Sequence, residues 1–219
     1  MAETKTPEKS TNGSRGQETR RMILAAATKV FAMHPYNAAS IRMIAARGDF
    51  YHGLIRYHFP NKAAIFEAVA EDACRKLYSE NKKWLLEIAS LSPEAGLSVF
   101  LDRITKFYQD QPEVFRLIIQ NLSHDNPAVF FVYNHLSALF ADTQKDLETI
   151  VLKGMLPSSD VRRIHTSMNI LIMHYMGSGA FSTEMLGLPP KSDEYLKWVK
   201  DTIFLVFLPV FKAMRAENM

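Results

Sequence analysis

Between Ser40 and Lys62 the apolar positions mark two short helices and the start of a third. Ile41, Ile44 and Ala45 fall at i, i+3 and i+4, one face of a first short helix. Ser40 precedes that face and is a good N-cap. Gly48-Asp49 breaks the pattern, as a tight turn requires. Leu54, Ile55 and Phe59 mark the inner side of a second short helix, whose other face carries Tyr51, His52, Arg56, Tyr57 and His58. Pro60-Asn61 ends it, and Asn61 can cap the helix that follows. Two short helices a turn apart, the second basic and aromatic on its open side, predict a helix-turn-helix.

The same reading predicts helix almost everywhere else. Residues 1–16 hold almost nothing apolar and are expected to be a disordered tail. Ile23, Ala26, Ala27, Val30 and Phe31 give a first helix over 18–33. After Asn61 the pattern Ile65, Phe66, Val69, Ala73, Leu77 and Leu85 predicts a long helix to Ile88. Ser92-Pro93-Glu94 starts a helix reaching Tyr108, and Pro112-Glu113 one reaching Leu122. A helix over 128–153 is closed by Gly154 and Pro157. Another is expected over 158–181, and a last one over 195–214. No segment alternates with period two, so the fold class is all-α, with about nine helices.

A wider set of positions resembles the tetracycline-repressor (TetR) family of bacterial regulators. Ile23, Ala26, Ala27, Val30 and Phe31 match the family's preceding helix. Tyr36, Ser40, Ile41, Ile44 and Ala45 match its joint, and Gly53, Leu54, Ile55, Tyr57, His58, Phe59 and Lys62 match its closing signature. The resemblance runs from about Arg20 to Val69 with spacing intact. Three places depart from it. Pro35 stands where the family usually has Gly, Gly48-Asp49-Phe50-Tyr51 where it has a small-Gly-Val-Ser run, and Arg56 where it often has Tyr. Tyr51 cannot cap the recognition helix as Ser does. Asp49 can, if the helix starts earlier.

The resemblance implies a DNA-binding domain over 17–62 and a helical effector-binding and dimerisation domain over 63–219. Ser40, Arg42, Tyr51, His52, Gly53, Leu54, Arg56, Tyr57, His58 and Lys62 are the expected DNA-binding residues. Arg and Lys can neutralise phosphates, and the front of the second helix, from Tyr51 to Leu54, is where base edges are read. The resemblance also implies an effector pocket in the second half, which is rich in Phe and Met. Its expected lining is Phe115, Phe130, Phe131, Tyr133, Met168, Met173, Tyr175 and Met176. Dimerisation through the last two helices places Ile170, Gly177, Ala180, Phe204, Phe207 and Phe211 at the interface, since small residues let helices approach and the last helix has an apolar surplus.

Charge sharpens the picture. The net +3 is uneven: residues 1–62 hold ten Lys/Arg and four Asp/Glu, whereas residues 63–219 hold sixteen and nineteen. Basic charge on the helix-turn-helix half fits a polyanion partner. The single cysteine, Cys74, excludes an internal disulfide and fits a reducing cytoplasm. The longest apolar run, 203–211, is too short to span a bilayer. His165 and His174 fall on opposite helix faces, and no Glu-x-x-His pair is present, so no metal or cofactor is expected. Hydrolase and nucleotide-binding motifs are absent, so no enzyme is expected. The expected function is a cytoplasmic, homodimeric transcriptional repressor that binds double-stranded operator DNA and is released by a small apolar or aromatic effector. The alternative is an all-α small-molecule-binding protein with weak or lost DNA binding.

Overall fold

The computed structural model describes residues 11–122, 127–153, 155–177 and 179–216, and within these it is helical and without strands. Ten α-helices follow one another: α1 (Thr11–Met33), α2 (Ile41–Gly48), α3 (His52–His58), α4 (Lys62–Ile88), α5 (Pro93–Asp110), α6 (Pro112–Leu122), α7 (Pro127–Asp146), α8 (Ser158–Gly177), α9 (Gly179–Leu186) and α10 (Asp193–Ala216). A π-helical turn, Leu147–Val151, continues α7.

The expected caps are present. Ser40 Oγ accepts the Met43 N–H at 3.2 Å, Asn61 Oδ1 accepts the Ala64 N–H at 2.9 Å, and Ser92 Oγ accepts the Ala95 N–H at 3.3 Å. Ser192 Oγ accepts the Tyr195 N–H at 3.1 Å and so opens α10. Each satisfies a donor that a helix start leaves unpaired.

Three boundaries differ from the sequence reading. α1 begins at Thr11, so residues 11–16 are helix and not tail; the Thr19 hydroxyl donates to the Arg15 carbonyl within that extension. Residues 1–10 lie outside the described part of the chain. The helix expected over 128–153 changes hand-width at its end: from Leu147 to Val151 it opens into a π turn, with the Leu152 N–H donating to the Leu147 carbonyl at 3.0 Å. The helix expected over 158–181 ends at Gly177, and a separate α9 follows.

α1, α2 and α3 form a head around Ile23, Phe31, Ile44 and Ile55, all with no exposed surface. The first turn of α4 closes it through Ile65, Phe66 and Val69. Phe66 stands edge-on to Phe31 at 4.9 Å and to Tyr36 at 5.1 Å. Edge-to-face rings stabilise such a cluster beyond their burial. At about 1.5 Å per residue, the 27 residues of α4 then run on past Cys74, a buried thiol, into the larger domain. There α4 packs chiefly on α7 and α5, α6 lies between α1 and α8, and α10 packs against α5 and α8.

Candidate functional site

The turn between α2 and α3 fixes the register of the recognition helix. Asp49 adopts the left-handed region (φ 55°, ψ 45°) as C-cap of α2, and its N–H donates to the Ala45 carbonyl. The Phe50 N–H donates to the same carbonyl at 2.9 Å. Asp49 therefore ends α2 and does not cap α3. The helix starts at His52, after Tyr51, which makes no side-chain cap; the Leu54 N–H closes onto the Tyr51 carbonyl at 2.9 Å. At Gly48 a Cβ would lie 2.0 Å from the Phe50 ring, so a side chain there would have to displace that ring. At Gly53 a Cβ would meet the Tyr51 ring at 2.7 Å, so the missing side chain makes room for that ring.

α3 is held from behind. Ile55 is fully buried, Phe59 is 3% exposed, and the Arg20 guanidinium sits 4.8 Å from the Phe59 ring. Its outer face is open: Tyr51 and Tyr57 are each 83% exposed, and His52, Gly53, Leu54 and Arg56 are exposed as well. His58 is half-buried, its ring edge-on to Tyr57 at 5.1 Å. Arg42 is exposed on α2, and Ser40 is half-buried with its oxygen engaged in the cap. Among the described residues no ion pair involves α2 or α3. Arg42, Arg47 and Arg56 are thus exposed cations outside any such ion pair, which a phosphate backbone can neutralise, with Asp49 the one carboxylate of the α2–α3 segment.

Lys62 departs from the expected phosphate-facing role. Its ammonium turns into the head and donates to the Tyr36 carbonyl at 2.8 Å and the Ala39 carbonyl at 3.0 Å, 4.2 Å from the Tyr36 ring. Burial lowers its pKa. At the first position of α4, where the helix dipole disfavours a cation, these carbonyls supply the compensating partial charge. Lys62 binds the joint between α1 and α2 to α4.

The second domain contains a cavity of about 460 Å³ between α4, α5, the π turn and α8. Its wall is largely aliphatic: Leu85, Ile88, Leu97, Leu147, Val151, Leu152, Leu156 and Met168, with Phe100 and Phe211. Its buried end carries Asn81, Thr143 and His165, while Ser90, Ser92, Lys153 and Met155 stand at its exposed end. The Thr143 hydroxyl donates to the Leu139 carbonyl at 2.8 Å. That leaves its oxygen to accept from His165 Nε2 at 2.9 Å, so the imidazole carries its proton on Nε2. Nδ1 is then an acceptor; it is buried with no partner among the described residues. Burial pushes the His165 pKa down to about 4, against a smaller opposing effect of the Glu148 carboxylate, so the ring is neutral at pH 7.

Of the described side chains expected to line an effector pocket, Met168 alone lines this cavity. Phe115 is in the core, edge-on to Phe107 and Tyr108, and it shares with Met173 a much smaller void of about 10 Å³. Tyr175 turns to α10: its carbonyl accepts the Tyr195 hydroxyl and its ring stands edge-on to Trp198. Met176 is 1% exposed in the core, whereas Phe130 (73%) and Tyr133 (61%) are on the surface. The Phe131 and Ala180 side chains lie outside the described part of the structure.

The expected dimer face is also rearranged. Gly177 is used inside the subunit, where a Cβ would lie 2.3 Å from Ile119 of α6. Phe207 is 5% exposed and belongs to the core, and Phe211 lines the cavity. Ile170 stays on the surface at 55% exposure, and Phe204 is half-buried. Among the described residues of α10, the large apolar side chains exposed to solvent are Leu205 (79%), Val206 (48%) and Val210 (37%).

Among the described residues no group of three His, Cys, Asp or Glu is placed to hold a metal ion, and no helix is long and apolar enough to cross a membrane.

An α3 held from behind and open on its outer face, projecting from a three-helix head, has the geometry of a helix-turn-helix domain. Residues 23–69 match the sequence model of the family described as bacterial regulatory proteins, tetR family. Those residues thus form a tetR-type helix-turn-helix domain. The chain is 27% identical over 168 residues to the HTH-type transcriptional repressor AcnR of Corynebacterium efficiens, covering 74% of this chain and 77% of that one. Its fold matches the fatty acid degradation regulator FadR from Bacillus halodurans with a TM-score of 0.66 at 15% identity, over 94% of this chain and 98% of that one. A TetR-family regulator from Agrobacterium tumefaciens matches with a TM-score of 0.64 at 16% identity, over 90% and 98%.

Proposed function

We propose that the chain is a cytoplasmic, homodimeric repressor whose grip on operator DNA is loosened by a small apolar effector in the α4–α5–α8 cavity. The observation that carries this reading is that one helix serves both ends: α4 closes the head with Ile65, Phe66 and Val69 and walls the cavity with Asn81, Leu85 and Ile88. A ligand that changes the seat of one end of α4 changes the pose of the other.

In this reading Tyr51, His52, Gly53 and Leu54 approach base edges in the major groove, and Arg42, Arg56, Tyr57 and the Ser40 region meet phosphates. Lys62 acts from behind by holding the head to α4. The dimer forms through α8 and the outer face of α10, around Ile170, Phe204, Leu205, Val206 and Val210. Two heads then grip successive major grooves about 34 Å apart, so a small tilt of either spoils simultaneous contact. The sign, repression, is that of the Corynebacterium relative, a transcriptional repressor.

Linkage gives the test. An effector that weakens operator binding by some factor must itself bind more weakly to the operator complex by the same factor. Titration of one effector into the free protein and into the protein–operator complex should give affinities differing by about 5- to 150-fold. Equal affinities would rule out induction, and no gel shift with the DNA flanking its own gene would rule out operator binding there.

A further inference from the structure

The polar end of the cavity specifies what kind of ligand fits it. Asn81 is 6% exposed, and its side chain lines the cavity. It lines both the main cavity and the small void beside it, as do Thr143 and Asn169. Asn169 donates to the His165 carbonyl at 2.8 Å. That bond occupies one amide hydrogen and leaves its carbonyl oxygen as an acceptor. His165, bonded to Thr143, brings an unpartnered Nδ1 to the same cluster. The buried end thus offers acceptors at His165 and Asn169, and both a donor and an acceptor at Asn81. Buried polar groups without partners are costly, so a ligand atom that pairs with them gains affinity.

Charge narrows the class. Lys153 is the one charged residue among the described lining residues, and it stands exposed at the opposite end. A carboxylate or phosphate at the buried end would meet the lone pair of His165 Nδ1 and no cation. An ammonium would likewise have no carboxylate within the lining. An ionised group there would keep its full desolvation cost. The rest of the wall asks for saturated hydrocarbon, and 460 Å³ is within the usual range for small-molecule sites.

We infer that the cavity takes an uncharged, mainly aliphatic compound with a single terminal hydroxyl or carboxamide, whose polar end donates to His165 Nδ1 and accepts from the Asn81 amide. This inference rests on the reading of the cavity as the effector site.

Calorimetry of the full-length protein with 1-decanol, sodium decanoate and 1-methoxydecane at pH 7.5 tests it. Decanol should bind at least about tenfold more tightly than decanoate, because only the latter buries a charge. It should also bind several-fold more tightly than the methyl ether, which cannot donate. His165→Phe keeps the ring volume and removes the acceptor, so it should bring decanol and the ether to nearly equal affinity; His165→Leu should do the same if the first variant does not fold, whereas Asn81→Leu removes a donor that both oxygens use and should weaken the two alike. Decanoate binding as well as decanol would overturn the inference and leave the cavity a ligand site. Unchanged decanol preference over the ether in a folded His165 variant would also overturn it. Binding of none of the three compounds would overturn the cavity reading itself, and the inference with it.

Discussion

Asn121 of α6 and Tyr36 of the joint between α1 and α2 are hydrogen-bonded across 85 residues of sequence: Asn121 Oδ1 accepts the Tyr36 N–H at 3.0 Å. The same side chain donates to the Leu117 carbonyl at 2.8 Å and has no exposed surface. It therefore ties the head to the larger domain independently of α4. Asn121→Leu should strand a Tyr36 N–H and cost about 1–3 kcal/mol of stability. A shift in the urea midpoint checks this, and an unchanged midpoint would show that water replaces the bond without loss.

Arg56 and Lys62 should behave differently, although both are cations of the head. Arg56→Ala removes an exposed charge with no ion-pair partner among the described residues. It should lower the slope of log DNA affinity against log salt by about one and leave thermal stability unchanged. Lys62→Met leaves the Tyr36 and Ala39 carbonyls without their ammonium donor. Its main effect should be a loss of about 1–3 kcal/mol in stability. A salt-slope change in Lys62→Met equal to that in Arg56→Ala would return Lys62 to the phosphate-contacting set.

Assembly should be separable from folding on α10. Leu205 is 79% exposed, so Leu205→Glu should leave the subunit folded while placing a charge twice across a two-fold interface. Light scattering should find monomers with weakened operator affinity. Phe207→Glu buries an unpaired carboxylate in the core and should fail to fold. A folded, fully dimeric Leu205→Glu protein would place the interface elsewhere.

His165 predicts a pH dependence. Its folded pKa of about 4 lies below the ordinary value of 6.5, so the unfolded chain takes up a proton that the folded chain refuses. The contribution is intact above about pH 6.5 and is lost as pH falls toward 4. The loss approaches about 3 kcal/mol. Denaturant melts of the wild type and of His165→Phe should diverge across that interval. Parallel curves would mean that the imidazole is protonated in the fold.

Local signals made the head legible. Caps at Ser40 and Asn61, the break at Gly48 and the inward trio Ile44, Ile55 and Phe59 all act within a few residues of themselves. The cap of α3 was harder, because the choice between Asp49 and Tyr51 depended on one left-handed backbone angle. The cavity was not legible. Asn81, Thr143 and His165 come from three helices, and no spacing along the chain connects them. Large apolar residues were poor guides because a close-packed core uses them in the same way as a pocket does. Phe115 and Met176 went to core, whereas aliphatic Leu97 and Leu156 line the space. On α10 the run over 203–211 is apolar on every side, so its period could not say that Phe207 faces inward and Leu205 outward.

Cys74 lies midway along α4 at 6% exposure, and burial pushes its thiol up to about 12. At neutral pH only about one molecule in 10⁵ carries the reactive thiolate. For labelling chemistry the native chain thus behaves as though it had no cysteine. A cysteine placed at an exposed head position such as Lys29 can be coupled to a spin label or fluorophore without first removing Cys74. In a dimer each label has a twin, and the distance between them reads the separation of the two heads directly.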